Sequence, residues 1–589
     1  MKSTTTGATG GRPTIMSTRG VVSSGHYLAT EIGADILRRG GNAMDAAAAT
    51  GFALAVLQPH QCGIAGEAPM LVYSSADGKV HAISGHGTAP AAATLERFKE
   101  YGLDVIPGDG FLPAIVPALV AAYIELLTRF GFMRLADVLR PAIKLARDGF
   151  PMYAGLHFNI AARTERFMKE WPSSAEVYLP SGVPPPMGTT WRQPDWAATF
   201  DRLIAAERKF KDREQGLRAA CDEFYRGEIA EIIVKFCREN PVLDASGESH
   251  AGLLTMEDFA RYRAVVEEPA RTMYRGVTVC KCSTWTQGPV MLQALNLLEN
   301  FDLAAMGHNA ADYVHTVAEC MKLAYADREF YYGDPQFADV PLEKLLSKEY
   351  AKKRAELVDP SRASLELRPG DRPAFSVTGI AGVNRMFERE AGCADGDTTK
   401  LDVIDRDGNA VSVTQSGGWL MSSPVIPGLG FPLGTRGQMF SLSAGHPNGL
   451  QPGKRPRTTL TPTLALRDDE PFMAFGSPGG DNQDQWALQF FLNVVEFGMS
   501  LQEAVEAPTF WTRHFPNSFY PRDAEPGALY VEGRVPEAVR NELVSRGHDV
   551  RVAPDWGGGN TLAASINPGT GVLCAAASPR YEPAYAVGL

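Results

Sequence analysis

The run from Asp395 to Thr414, DGDTTKLDVIDRDGNAVSVT, is the strongest constraint in this chain. A polar, turn-prone segment leads into one β-rich run, then Asp407-Gly408-Asn409, then a second β-rich run. Gly and Asn accept positive φ, so the pattern predicts a hairpin turning at Asp405 to Asn409. Thr398 stands where the loop becomes the first strand. A threonine there has a distinctive chemistry. If the Asp397–Thr398 peptide bond is cut, Thr398 gains a free α-amine beside its own hydroxyl. That amine, with a reference pKa of about 7.7–8.0, can take the hydroxyl proton near neutral pH. Nucleophile and base then come from one residue. The Thr-Thr pair alone does not decide this, because Thr189-Thr190 and Thr458-Thr459 are also pairs. The plain alternative is an ordinary β-branched strand start.

A chain of 589 residues with 44% hydrophobic and 21% charged content is globular and can bury a large core. Length alone allows about four domains. The net charge of −11 argues against nucleic acid as a partner. The eight cysteines are scattered, with no Cys-x-x-Cys, which points to reduced thiols, a cytoplasmic protein and no structural zinc. Met1 to Thr18 lacks the apolar stretch of a signal peptide, and no window of ~18 apolar residues predicts a membrane span. Residues 1–17 are expected to be disordered, with Met16 a second candidate start.

Along the chain, helical spacing predicts helices over Tyr27–Arg39, Ala43–Leu57, Ala118–Phe130 and Leu135–Asp148. The Ala-rich second one must pack on most faces. Residues 151–250 read as mostly helical, at Trp196–Phe210 and Leu217–Glu239. Tyr313–Phe330 reads as a long amphipathic helix. Residues 359–397 read as an exposed polar linker. Strands alternate with helices on both sides of the hairpin.

Six landmarks, in order, resemble the gamma-glutamyltranspeptidase family of N-terminal-nucleophile hydrolases. They are Leu37-Arg-Arg-Gly-Gly-Asn-Ala-Met-Asp-Ala-Ala47, Lys144-Leu-Ala-Arg-Asp-Gly-Phe150, Glu319-Cys-Met-Lys-Leu-Ala-Tyr-Ala-Asp-Arg328, the Thr398 hairpin, Gly453-Lys-Arg-Pro456 and Gly476-Ser-Pro-Gly-Gly480. The resemblance implies an α/β fold, the αββα four-layer sandwich. It implies a single precursor that cuts itself before Thr398, giving a large chain of residues 18–397 behind the N-terminal segment and a small chain of 398–589. The two form a heterodimer that builds one structural unit, with further dimerisation left open. No metal and no organic cofactor is implied.

The resemblance also assigns roles. Thr398 Oγ attacks the Asp397 carbonyl in self-cleavage and a substrate amide in turnover. Gly479 and Gly480 offer backbone N–H groups as an oxyanion hole, where close approach needs residues without side chains. Thr399 supports the Thr398 α-amine. Ser416 hydrogen-bonds the nucleophile, and Thr458-Thr459 stand where the family binds the substrate carboxylate.

Three glutamyl anchors depart from the family pattern. His86 stands where an Arg holds the α-carboxylate, and a neutral imidazole does not replace a bidentate guanidinium. Phe440 or Ser441 stands where an acid meets the α-amino group. Gly417-Gly418 replaces an Asn. The run Arg436-Gly-Gln-Met-Phe-Ser-Leu442, followed by Gly445-His446-Pro447-Asn448, is similar to the acylase and oxamate-amidohydrolase side of the family. Arg436 is a candidate for holding a substrate carboxylate or for a structural ion pair. Trp285, Trp419 and Trp486 are candidates for an apolar pocket or for core packing, and His446 for a lid or a solvated loop. The expected function is therefore an autoprocessed amide hydrolase acting on a small acyl-amide that is not a standard γ-glutamyl donor. A γ-glutamyltransferase, a hydrolase of an unusual acyl or C–C bond, and an uncleaved binding protein remain open alternatives.

Overall fold

The computed structural model describes residues 11–376 and 398–589. Asp405 closes the central hairpin: its Oδ1 accepts from Asp407 N at 2.9 Å and Asn409 N at 3.0 Å, and Gly408 takes the positive φ of +82° that the turn needs. The strands Thr398–Asp405 and Ala410–Ser416 then pair antiparallel, from Thr398 opposite Ser416 to Ile404 opposite Ala410. Asp405 Oδ2 also accepts from Ala43 N at 2.8 Å, which ties the hairpin to the start of the helix Ala43–Leu57.

Side chains alternate along the hairpin, so its two faces enter different cores. Leu401, Val403, Val411 and Val413 join the core built with the helices Ala43–Leu57, Leu119–Phe130 and Leu135–Asp148. Ile404 and Ala410 join a second core with Leu464, Ala474, Leu562 and Ala564. A third core packs Val279, Met473 and Phe475 against the helices Pro289–Leu298, Ala311–Tyr331 and Gln483–Val495. Three cores separating four layers make the αββα sandwich.

Both sheets have seven antiparallel strands. One runs in the order Tyr585–Gly588, Gly20–Ser24, Thr398–Asp405, Ala410–Ser416, Met70–Ser74, Lys79–Ile83, Val266–Glu267. The other runs Ile15–Ser17, Leu573–Ala577, Leu562–Ile566, Glu470–Gly476, Thr463–Arg467, Val277–Lys281, Ala270–Tyr274. Each sheet mixes strands from before position 398 with strands from 398 onward. The helix Ala43–Leu57 is buried at every position. Asn42 caps it, accepting from Met44 N and Asp45 N, while Asp45 returns a bond to Asn42 N.

Four expectations need correction. Ile15–Ser17 is not disordered: it pairs with Leu573–Ala575 at the sheet edge. The helix expected over Leu217–Glu239 is two helices, Arg213–Arg226 and Glu228–Glu239, because Gly227 takes an extended conformation between them. Ala311–Tyr331 is buried around its whole circumference rather than on one side; its charged residues are taken up by internal ion pairs. The stretch 359–397 begins exposed, at 359–362, but is not exposed throughout its described part: Leu367 is buried, and Glu366–Leu367 pairs with Phe375–Ser376. Asp397 lies outside the described residues.

Candidate active site

Thr398 opens its strand fully inside the protein, 1% exposed. Its Oγ1 donates to Ser416 Oγ at 3.3 Å across the hairpin. Thr399 points to the opposite face, as strand alternation requires. Its Oγ1 donates to Gln58 Oε1 at 2.7 Å, so its hydroxyl anchors the strand to the end of the Ala-rich helix and not to its neighbour's side chain.

Ser416 Oγ also accepts from Arg436 Nη2 at 2.8 Å. Arg436 is buried and paired with Glu67, whose Oε2 accepts from Nε at 3.2 Å and Nη2 at 3.1 Å. Its guanidinium lies over Trp419 at 5.1 Å and Phe519 at 5.6 Å. Of the two readings of Arg436, the geometry brings out the buried ion pair. Burial raises the Glu67 pKa while Arg436 acts to lower it.

The glycine pair is held by a separate network. Gly476 ends its strand against Lys400, where a Cβ would stand 2.6 Å from Lys400 Cε. Three residues on, Gly479 has φ +126° and a Cβ there would meet the Trp486 ring at 2.2 Å, so this position excludes any side chain. Gly480 has φ +56°. Asp481 next to it accepts from Ser518 N at 2.8 Å and Ser518 Oγ at 2.7 Å, and pairs with the fully buried Arg328. Arg328 also donates to Gln287 Oε1 at 2.9 Å. Tyr325 OH donates to the Asp481 carbonyl. Such anchoring is what preorganised amide donors require.

His86, Trp285 and Thr458 converge on one wall. His86 Nε2 donates to the Pro456 carbonyl at 2.8 Å, which leaves Nδ1 as a lone-pair acceptor. Burial, with the Arg436 charge, pushes the His86 pKa down to about 3. Its ring stacks on Trp285 at 5.9 Å. Thr458 N donates to the Trp285 carbonyl, and Gln287 N to the Thr458 carbonyl, both at 2.9 Å. His86 Nδ1, Thr459 Oγ1 and Arg436 Nη1 are buried without a partner. Phe440 is core, packed with Ala89, Phe98 and Leu112. Ser441 Oγ accepts from Ser443 N at 3.1 Å, at the rim of a cavity of about 390 Å³ that Arg522 also borders.

Trp419 donates to the Gln61 carbonyl, and Trp486 packs against Trp511. His446 is half-buried, and desolvation lowers its pKa to about 4, beside Glu329 and Arg457. Among the described residues, His315, Glu319 and His548 have the makeup of a metal site. However, Glu319 already meets Lys322, and Arg368 at 3.2 Å. No disulfide forms among the described residues, and none of their helices is long and apolar enough to cross a membrane. Glu67 and Asp481 escaped the sequence reading, and Arg328 entered it only as the end of a landmark run. The signal for Glu67 was one acid inside an otherwise apolar, Gly-rich stretch from Cys62 to Val72.

The gamma-glutamyltranspeptidase family model matches residues 29–588. The chain belongs to this family. Among gamma-glutamyltranspeptidase-family relatives, the acylase ACY 1 proenzyme of Pseudomonas sp. (strain SE83) is 34% identical over 570 residues, 94% of this chain and 92% of its own length. The glutathione hydrolase-like YwrD proenzyme of Bacillus subtilis (strain 168) is 32% identical over 98% of this chain and 99% of its own. The solved structure of LmbA2991HD matches with a TM-score of 0.93 and 47% identity, over 98% of this chain and 99% of that one. The family thus joins acylases and glutathione hydrolases, several of them made as proenzymes.

Proposed function

We propose that this protein is an autoprocessing N-terminal threonine hydrolase that cleaves the amide bond of a small N-acyl compound through an acyl-enzyme. The observation that carries the reading is the buried Thr398 hydroxyl at a strand start, donating to Ser416 at 3.3 Å. In the precursor, Thr398 Oγ attacks the Asp397 carbonyl carbon. The C–N bond breaks as the C–O ester forms, and the hydroxyl proton ends on the Thr398 nitrogen. Water opens the ester. Residues 1–397 and 398–589 then remain together as a heterodimer. In turnover the new α-amine takes the Oγ proton, and the Gly479 and Gly480 amides face the developing oxyanion, each donor worth about 2.7–4 kcal/mol. Nucleophile, base and oxyanion donors all come from the chain.

The substrate is a small acyl-amide other than a standard γ-glutamyl donor. Phe440 is core where an α-ammonium would need an acid, and His86 offers a neutral acceptor where an α-carboxylate would need a cation. His86 Nδ1, Thr459 and the partly exposed Ser441 suit an uncharged polar acyl group, with Thr458 fixing the wall behind it. The acylase relative supports the same direction. The test is a panel of N-acyl amides beside γ-glutamyl-p-nitroanilide, run with wild-type protein and Thr398→Ala. Turnover of an N-acyl amide that Thr398→Ala abolishes is expected. Faster release from the γ-glutamyl compound than from every N-acyl amide contradicts the substrate assignment.

A further inference from the structure

Before cleavage, the Thr398 nitrogen belongs to a peptide bond and cannot act as a base. The hydroxyl must then be set for attack by other groups. Thr398 Oγ1 donates to Ser416 Oγ, and Arg436 Nη2 donates to the same oxygen at 2.8 Å. A hydroxyl oxygen has two lone pairs. With both engaged as acceptors, the Ser416 O–H points away from Thr398 and Arg436. That polarity matters: a Thr398 oxygen that donates its hydrogen keeps its lone pairs for the carbonyl carbon, whereas one that accepts from Ser416 loses one of them.

Arg436 is itself held at every guanidinium nitrogen but Nη1. Glu67 takes its Nε and Nη2, and Trp419 and Phe519 flank its plane. Glu67 is fixed by the strand it serves: its N donates to the Ser416 carbonyl at 2.8 Å, and Ser416 N donates to the Glu67 carbonyl at 3.0 Å. Gly417, with φ +77°, makes room for the carboxylate; a Cβ there would stand 2.3 Å from Glu67 Oε2. Removing one member of a buried ion pair strands the other's charge, so the pair acts as a unit.

We infer that Glu67 and Arg436 form a positioning pair for the nucleophile: the carboxylate holds the guanidinium on Ser416 Oγ, which keeps that oxygen as the hydrogen-bond acceptor of the Thr398 hydroxyl in the precursor and so orients it for self-cleavage. This rests on the reading of Thr398 as nucleophile, and it gives Arg436 a role other than holding a substrate carboxylate.

The experiment follows conversion of purified precursor into the 192-residue small chain (589 − 397) by intact mass, for Glu67→Gln, Arg436→Lys, Arg436→Met and the double variant Glu67→Gln/Arg436→Met. Conversion is expected to slow at least tenfold in Arg436→Met and several-fold in Glu67→Gln, with partial recovery in Arg436→Lys. The double variant is expected to be no slower than Arg436→Met, since the two residues act through one contact. Hydroxylamine, which cleaves esters, is expected not to rescue the slow variants, because the defect precedes the ester. Glu67→Gln preserves shape, so it carries the test if Arg436→Met does not fold. Conversion at the wild-type rate in Glu67→Gln, additive losses in the double variant, or rescue by hydroxylamine would each overturn the inference. Cleavage of Thr398→Ala would instead overturn the nucleophile reading itself.

Discussion

Thr398 and Ser416 stand directly opposite each other at the open end of the central hairpin, and their hydroxyl oxygens lie 3.3 Å apart in the protein interior. Cross-strand pairing fixes this contact as firmly as the sheet itself. Ser416→Ala should therefore leave the fold intact and slow both self-cleavage and turnover, by about tenfold to a hundredfold if one oriented hydrogen bond of about 1.4–2.7 kcal/mol is lost. Intact mass and thermal melting on the same sample check it. Wild-type rates in Ser416→Ala would remove Ser416 from the site.

The glycine turn predicts a sharper effect. Gly479→Ala places a methyl into the Trp486 ring, at a φ that L-residues rarely adopt. The turn must shift, and with it the amides. Turnover is expected to fall by about 10²–10³-fold, the loss typical of one oxyanion donor. A substrate-independent check is the rate at which an acyl-enzyme forms with a reactive ester. An unchanged rate would remove Gly479 from the oxyanion hole.

Asp481→Asn should act through the same turn. The buried Arg328 loses one of its two charged partners and keeps Glu329, while Ser518 keeps a hydrogen-bond acceptor. Breaking a buried pair costs about 3–5 kcal/mol. A drop in melting temperature together with a fall in kcat is expected. A lower melting temperature with unchanged kcat would make Asp481 purely structural.

Several buried histidines set the response to acid. Burial, first, pushes His26, His60, His86 and His514 to about 3, His446 to about 4 and His548 to about 2. Unfolded, each titrates near 6.5. Below that pH the unfolded chain binds protons that the folded chain refuses, so each histidine lowers stability by about 1.4 kcal/mol per pH unit until its folded pKa is reached. The histidine contribution should be flat above pH 7 and fall from about 6.5 toward 4, opposed in part below about 6 by Asp109 and Asp402, whose carboxyls burial raises to about 6. Urea unfolding across that range measures the slope, and a midpoint constant from pH 7 to 4.5 would contradict it.

Local chemistry was legible where neighbours in sequence are neighbours in space. The Asp405–Asn409 turn, the Asn42 cap and the Ala-rich helix all follow from short patterns, and the six landmark runs point to the fold. The strand Ile15–Ser17 was not legible, because its partner residues Leu573–Ala575 lie at the far end of the chain. Nor was the buried state of the Ala311–Tyr331 helix: Arg328 looks like a surface residue until Asp481 and Glu329 are placed beside it. Arg436 shows the limit most clearly. Its residue type fits a substrate carboxylate, and only the position of Glu67 shows that its charge is already met.

The central claim is that Thr398 becomes an amino terminus. Mass spectrometry of purified wild-type protein tests it most directly. The expected result is a small chain beginning at Thr398 and ending at Leu589, absent from Thr398→Ala. A fully active protein intact across positions 397 and 398, at the full 63.7 kDa, would contradict it.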